Sequence, residues 1–165
     1  MTVLPPASPP PASPQFLRED EVRRGIELIY FGYTELIAAA DDLLADSPFG
    51  RAHHRALYFI ARRPGLPVGE LLQLLRITKQ SLSRVINELK AEGLVTVSPG
   101  QRDRRQRLLT LTAKGAALEQ RLFAALQDRM TNAYSEAGQD SVSGYWNVLA
   151  ALLPPERRAL ALRRT

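Results

Sequence analysis

A length of 165 residues with 45% hydrophobic and 24% charged positions is typical of one folded domain, and the absence of cysteine excludes a disulfide framework or thiolate-bound metal. The net charge of +5 is unevenly distributed, because residues 51–107 carry 12 Lys or Arg against four Asp or Glu, an excess of +8 that leaves −3 elsewhere. Such a local basic excess is what binding to a polyanion requires, although a solvated basic face has the same composition. Sequence motifs are needed to distinguish these two interpretations.

Residues 1–15 contain six of the 12 prolines and are predicted to form a disordered tail. A Pro-rich ligand for a partner domain is the alternative interpretation of this segment. No stretch resembles a signal peptide or approaches the roughly 20 apolar residues that span a bilayer. We therefore expect a soluble, cytoplasmic protein with no membrane partner.

Helical periodicity begins directly after this tail. From Phe16 to about Ala45 apolar residues recur at intervals of three and four, which predicts one long helix that ends before Pro48. A second helix is predicted to about Arg62, and residues 64–67, Pro-Gly-Leu-Pro, are predicted to form a turn. A short third helix follows over residues 68–75.

The middle of the chain combines one helix with two strand-like runs. A fourth helix is predicted from Thr78, which is suited to N-capping, to Gly93, which is suited to a left-handed C-terminal position. The runs at 94–97 and 108–111 enclose an arginine-rich segment, the layout of a hairpin with an extended tip.

The last third of the chain returns to helical spacing. A fifth helix is predicted from Thr112 to about Ala137, and Gly138 separates it from a sixth helix that carries Tyr145 and Trp146. The predicted fold class is therefore mainly α with a small β-wing, a winged helix-turn-helix flanked by N- and C-terminal helices.

The third and fourth predicted helices form a candidate helix-turn-helix, because each has an apolar face and only a short turn joins them. The fourth would be the recognition helix, and its polar side chains suit base edges and phosphates. The predicted contacts are Thr78, Lys79, Gln80, Ser83, Arg84 and Asn87. An ordinary helical hairpin with a polar outer face is the alternative.

The predicted hairpin tip carries a cluster of arginines after the candidate recognition helix. Arginines on a projecting β-tip can enter the minor groove, where the negative potential is high. The predicted wing contacts are Arg102, Asp103, Arg104, Arg105 and Arg107. We expect Asp103 to pair with Arg102 or Arg105 and orient it, and a solvated basic turn is the alternative.

In order and spacing, these residues resemble the MarR family of bacterial transcription regulators. The resemblance covers residues 51–115 and, more loosely, the flanking helices. Its most specific parts are Ile77-Thr78-Lys79-Gln80-Ser81-Leu82-Ser83-Arg84, Gly93-Leu94-Val95 and Arg102-Asp103-Arg104-Arg105. One departure is Gly100, where many members carry an acid, and this leaves the wing conformation open.

The resemblance implies a homodimer with one winged helix-turn-helix per protomer. Residues 16–165 would form the MarR-type domain, with dimerisation helices at 16–47 and 112–165 and the DNA-binding lobe at 48–111. The long apolar faces of the terminal helices support dimerisation, although folding back on their own chain is an alternative. Two recognition helices about 34–36 Å apart would then contact a pseudo-palindromic operator in double-stranded DNA.

The resemblance also implies a small aromatic effector bound beside the DNA-binding lobe. Aromatic and cationic side chains suit such a ligand, and the candidate lining is Tyr30, Tyr33, His53, His54, Tyr58 and Phe59. Plain core packing is the alternative. Adjacent helical histidines diverge by about 100°, so no metal site or cofactor is predicted.

The function predicted from these features is a dimeric, sequence-specific transcription regulator, expected to be a repressor whose operator binding a small aromatic ligand modulates. The alternative is a winged-helix protein-interaction module without DNA readout, which would have no reason to concentrate positive charge on the winged segment. An enzyme is not expected, because there is no phosphate-binding glycine loop, no nucleophile elbow and no metal-ligand spacing.

Overall fold

The computed structural model describes residues 11–162, which comprise seven α-helices, three β-strands and a short 3₁₀-helix at Pro14–Leu17. The α-helices are α1 (Glu19–Leu44), α2 (Arg51–Arg62), α3 (Val68–Leu75), α4 (Lys79–Ala91), α5 (Ala113–Ala137), α6 (Gln139–Ala151) and α7 (Pro155–Leu162). The strands are β1 (Leu66–Pro67), β2 (Val95–Pro99) and β3 (Arg107–Leu111). The predicted fold class, mainly α with a small β-wing, is confirmed.

The chain divides into two compact units, and the boundary between Glu35 and Leu36 lies within α1. In the first unit, the helix begins with three acidic residues, which suit the positive end of the helix dipole. Arg23 and Glu19 form an ion pair one turn apart at 2.7 Å. Most of the predicted tail, residues 1–10, lies outside the described residues.

The second unit contains the hydrophobic core. Its buried side chains come from the last turns of α1, from α2, α3 and α4, from all three strands or their flanks, and from α5. The largest fully buried side chains are Leu57, Ile60, Leu71, Leu82, Leu89, Leu94, Leu109 and Leu122. The helix-turn-helix and the wing therefore share one core, which fixes α4 relative to the sheet.

The ends of the central helices follow from identifiable capping residues. The Thr78 hydroxyl accepts the backbone N–H of Ser81 at 3.1 Å and caps α4, and Thr112 caps α5 in the same way. Gly93, just beyond α4, has φ +66°, a left-handed conformation that favours glycine. The capping roles of Thr78 and Gly93 are the ones that the sequence predicted, whereas the prediction gave Thr112 only as the start of a helix.

The sheet has a strand that the sequence analysis did not predict. Its order is β1-β3-β2, all antiparallel, and Leu109 on the central strand faces Leu66 on one side and Val97 on the other. Residues 64–67 were predicted to form only a turn, and this was wrong for Leu66 and Pro67. Proline is tolerated there because β1 is an edge strand.

Two further features lie outside the predicted elements. The helix α7 had no counterpart in the prediction, and it starts at Pro155, a residue suited to the first helical position. Within residues 11–162, no helix combines the length and apolarity that crossing a membrane requires.

Candidate nucleic-acid interface

The helix α4 separates its residues cleanly into a buried and an exposed face. Leu82, Val85, Ile86 and Leu89 are buried in the core. All six predicted recognition-helix contacts, Thr78, Lys79, Gln80, Ser83, Arg84 and Asn87, are exposed. The structure thus brings the predicted cationic, amide and hydroxyl side chains together on one solvent-facing surface, as contact with DNA requires.

The N-terminal end of α4 is suited to an anion. Its first turn contains no acid and begins with Lys79, and the Thr78 and Ser81 hydroxyls lie 2.8 Å apart. Free N–H groups and the helix dipole favour negative charge at such an end. A phosphate of a nucleic acid backbone fits this position.

One exposed arginine of α4 is held by an acidic neighbour that the sequence analysis did not single out. The Arg84 Nε–H donates to Glu88 Oε1 at 2.8 Å, and Glu88 Oε2 lies 2.7 Å from His53 Nε2 on α2. Hydrogen bonds from Arg84 and His53 lower the pKa of Glu88 below its ordinary value, and the bond from Arg84 has the larger effect. The i, i+4 spacing of Arg84 and Glu88 is a signal that the sequence contains.

A groove of about 400 Å³ runs between α4, the start of α3 and the wing. Arg107 lines it together with Lys79, Ser83 and Asn87. This arginine is the first residue of β3, paired with Pro99, and it stands apart from the hairpin tip. The prediction grouped Arg107 with the tip, whereas the structure places it in a groove with residues of α4.

The wing tip closes on itself through backbone hydrogen bonds. The Gly100 N–H donates to the Gln106 carbonyl at 2.9 Å, and the Gln106 N–H donates to the Asp103 carbonyl at 3.0 Å. Arg102, Arg104 and Arg105 are exposed at this tip. The tip therefore presents three arginines to solvent from a closed loop.

Asp103 acts differently from the sequence prediction. Its carboxylate accepts the backbone N–H of Arg105 at 2.9 Å, and it forms no ion pair with an arginine side chain in the described part of the chain. The expected pairing with the side chain of Arg102 or Arg105 was wrong. An aspartate readily accepts from the amide two residues on, and this local bond fixes the turn.

The structure also accounts for glycine at position 100. A Cβ built there would lie 2.6 Å from the Asp103 carbonyl oxygen and 3.3 Å from the Gln106 Cβ. A larger residue would push the Asp103 backbone out of the closed tip. The departure from the family pattern at Gly100 is therefore part of this wing's own conformation.

The junction between the wing and α5 is equally tight. The Thr112 hydroxyl donates to the Gly93 carbonyl at 2.7 Å and accepts the Gly115 N–H at 3.0 Å. A Cβ at Gly115 would overlap the carbonyl oxygen of Leu94. The start of α5 is thereby held against the segment that joins α4 to β2.

The candidate effector-pocket residues fall in both units. Tyr30 and Tyr33 are exposed on the part of α1 in the first unit. In the second unit His53 and His54 are buried, while Tyr58 and Phe59 are half-buried with their rings 5.4 Å apart. The aromatic pocket remains a prediction.

The two histidines of α2 differ in their surroundings. His53 has partners at both ring nitrogens, since its Nδ1 accepts the Gly50 N–H at 3.1 Å and its Nε2 faces Glu88. Burial lowers the pKa of His54 below the ordinary value of 6.5, Asp41 opposes this shift and Arg55 adds to it. Among residues 11–162, no group of three or more potential ligands is placed to hold a metal ion.

Comparison with known proteins is consistent across sequence and structure. The MarR family model matches residues 47–106. The HTH-type transcriptional regulator PetP of Rhodobacter capsulatus is 46% identical over 143 residues, covering 87% of this chain and 86% of PetP.

The fold is shared with solved structures of lower identity. A mutant MarR from E. coli complexed with operator DNA matches with a TM-score of 0.65 and 23% identity, over 82% of this chain and 97% of that one. A MarR family regulator from Silicibacter pomeroyi matches with a TM-score of 0.67 and 18% identity, over 94% and 99% of the two chains.

Proposed function

Because the chain belongs to the MarR family of transcription regulators, we propose that it binds operator DNA as a homodimer through α4 and the wing. Proteins of this family are regulators and not enzymes. In our proposal the dimer acts in the cytoplasm as a repressor of the genes beside its operator.

The observation that carries this proposal is the groove that exposed side chains of α4 share with Arg107 of the wing. Lys79, Ser83 and Asn87 line this groove with Arg107, and Arg102, Arg104 and Arg105 are exposed at the wing tip. Long polar side chains on a recognition helix suit base edges in the major groove, and arginines on a hairpin tip suit the minor groove. The excess of +8 over residues 51–107 supplies the attraction to phosphates.

Exposed apolar side chains support the dimer. In the first unit α1 exposes Val22, Ile26, Ile29 and Tyr33, and in the second unit α6 exposes Tyr145, Trp146 and Val148. Monomeric proteins rarely leave large apolar patches open to water, and a second copy of the chain would cover them. Two recognition helices about one helical turn of DNA apart would then contact a pseudo-palindromic site.

A small aromatic ligand is the effector that we propose. Tyr58 and Phe59 on α2, half-buried with their rings 5.4 Å apart, supply aromatic surface for such a compound within the second unit. A ligand that changes the distance between the two lobes of the dimer would weaken binding, because both half-sites must be contacted at once.

The experiment that tests the proposal is selection of bound fragments from genomic DNA, followed by gel shifts with the recovered duplexes. We expect one dimer to bind each duplex. We also expect binding to weaken when candidate aromatic acids are added. Arg84→Ala should cost about 1–3 kcal/mol and relax preference at one base pair, because a recognition-helix arginine contacts base edges. Arg104→Ala should weaken binding to all duplexes and lower the salt slope by about one, as a phosphate or minor-groove contact would.

Arg24→Ala is the matched control for loss of one positive charge. Arg24 is exposed on α1, outside the basic segment, and pairs with Glu21 at 3.2 Å. Its substitution should leave DNA binding unchanged. A wild-type protein that binds no duplex would contradict the proposal and favour a winged-helix protein-interaction module. One that binds all duplexes equally would contradict the sequence-specific readout that the proposal requires.

A further inference from the structure

A chain of hydrogen bonds connects the recognition helix to the start of α2. The Gly50 N–H donates to His53 Nδ1 at 3.1 Å, His53 Nε2 lies 2.7 Å from Glu88 Oε2, and Glu88 Oε1 accepts from Arg84 Nε at 2.8 Å. Arg84 has 80% of its side chain exposed, whereas His53 has 11%. An exposed side chain of the candidate DNA surface is thus anchored, through one carboxylate, to a buried ring.

The hydrogen bond from the Gly50 N–H determines which ring nitrogen of His53 carries the proton and donates. Because His53 Nδ1 accepts a backbone N–H, the proton of the neutral ring resides on Nε2, and this N–H donates to Glu88. The ring also packs against Phe49, with centroids 5.1 Å apart. His53 is held on two sides, so it gives Glu88 a fixed donor.

The hydrogen bond from His53 to Glu88 distinguishes the Arg84–Glu88 pair from an ordinary surface ion pair. An isolated i, i+4 pair is weak, because ordering two long side chains costs entropy that solvent-screened attraction barely offsets. Here Glu88 is already ordered by His53, so only Arg84 has to be restrained. The guanidinium is consequently pre-oriented before it meets a ligand.

The pairing also decides which donors Arg84 offers. Its Nε–H is used by Glu88, so both terminal NH₂ groups remain for a ligand. Two parallel donors at the end of a guanidinium match the O6 and N7 acceptors of guanine. Glu88 has one oxygen bonded to His53 and the other to Arg84, so both bonds fix the orientation of its carboxylate.

We propose that Glu88 is a positioning residue that directs Arg84 toward one guanine in each half-site, and that His53 holds Glu88 for this task. The inference rests on the proposed function, since it requires α4 to contact DNA. It assigns sequence preference to a residue that does not itself touch the base.

The test measures binding of the wild-type dimer and its variants to a panel of duplexes. Each duplex carries one base-pair substitution in the site selected by the wild type, and competition anisotropy gives the discrimination at every position. Arg84→Ala identifies the position that Arg84 contacts, where we expect about tenfold discrimination by the wild type. Glu88→Gln should reduce discrimination to about threefold or less at that position and leave the other positions unchanged.

Glu88→Gln is the informative variant because it keeps the shape of the side chain. An amide oxygen serves only one of the two donors, and the amide NH₂ opposes the other. The matched control is Glu92→Gln, which removes the same charge from the end of the helix, where Glu92 lies 3.9 Å from Lys114 and forms no bond to Arg84. This control should leave the discrimination profile unchanged.

The remaining outcomes contradict the inference. Full discrimination at the Arg84 position in Glu88→Gln would show that Arg84 needs no positioning. Equal losses at all positions, or the same loss in Glu92→Gln, would show a general effect of structure or charge. A wild-type protein without any sequence preference would instead contradict the proposed function, so the two failures are distinguishable.

Discussion

Two substitutions of Asp103 test how the wing tip keeps its conformation. The structure gives its carboxylate one role, to accept the Arg105 backbone N–H at 2.9 Å within the loop closed by Gly100 and Gln106. Asp103→Asn retains an oxygen that accepts this bond and removes the negative charge. Asp103→Ala removes both the bond and the charge. The pair therefore separates local hydrogen bonding from electrostatic pairing with an arginine.

The expected magnitude follows from the exposure of the tip. A typical hydrogen bond contributes about 0.5–1.5 kcal/mol, and water can replace part of this one because the Arg105 region is exposed. We expect Asp103→Ala to loosen the tip at a cost of about 0.5–1 kcal/mol, or about two- to fivefold weaker DNA binding. Asp103→Asn should bind DNA as tightly as the wild type or more tightly, since it keeps the turn and removes repulsion from phosphates.

The assay is fluorescence anisotropy with a duplex selected by the wild-type protein, at two salt concentrations. Melting temperatures of both variants should stay close to that of the wild type, because the tip contributes no side chain to the buried core. If Asp103→Asn loses as much affinity as Asp103→Ala, the charge and not the acceptor is what matters. That result would refute the turn-based interpretation and restore the ion pair predicted from the sequence.

Two further substitutions test the packing of the second unit. Gly115→Ala should lower the unfolding free energy by about 2 kcal/mol and the melting temperature by about 4–8 °C, because its methyl group would overlap the Leu94 carbonyl. Gly69→Ala, where nothing lies within 4 Å of the added methyl group, should not be destabilised, and equal melting shifts would contradict this explanation. Burial lowers the pKa of His54, so its stabilising contribution is fully present above the ordinary value of 6.5 and decreases as the pH falls. Urea unfolding at pH 7.5 and pH 5 measures how much the unfolding free energy falls on acidification. This decrease should be smaller for His54→Gln than for the wild type, and equal decreases would argue against burial of His54 as the cause.

The helices at the centre of the lobe were predictable because their ends carry local signals. Thr78 and Thr112 supply hydroxyl caps, and Gly93 supplies the left-handed residue. The helical spacing of apolar and polar residues in α4 likewise identifies its solvent-facing side from the sequence alone. The signals for these features lie within a few residues of one another.

The features that the sequence analysis missed depend on partners far along the chain or on an ambiguous residue type. The strand β1 has only two residues, so it has no periodicity, and its pairing partner Leu109 is remote in sequence. Proline both ends and starts helices, so Pro155 gave no clear indication of α7. The contact of Glu88 with His53 joins two helices, and only the tertiary structure brings them together.

The pairing of β1 with β3 determines how this lobe can be recombined with those of related regulators. The Gly65 N–H donates to the Leu109 carbonyl at 2.9 Å, and Leu66 faces Leu109 in the sheet. A chimera that takes its wing strands from another parent must therefore take residues 65–67 from that parent as well. Exchange confined to residues 101–105 leaves the pairing of β1 with β3 unchanged. We therefore expect this exchange to transfer a foreign wing tip without disturbing the sheet.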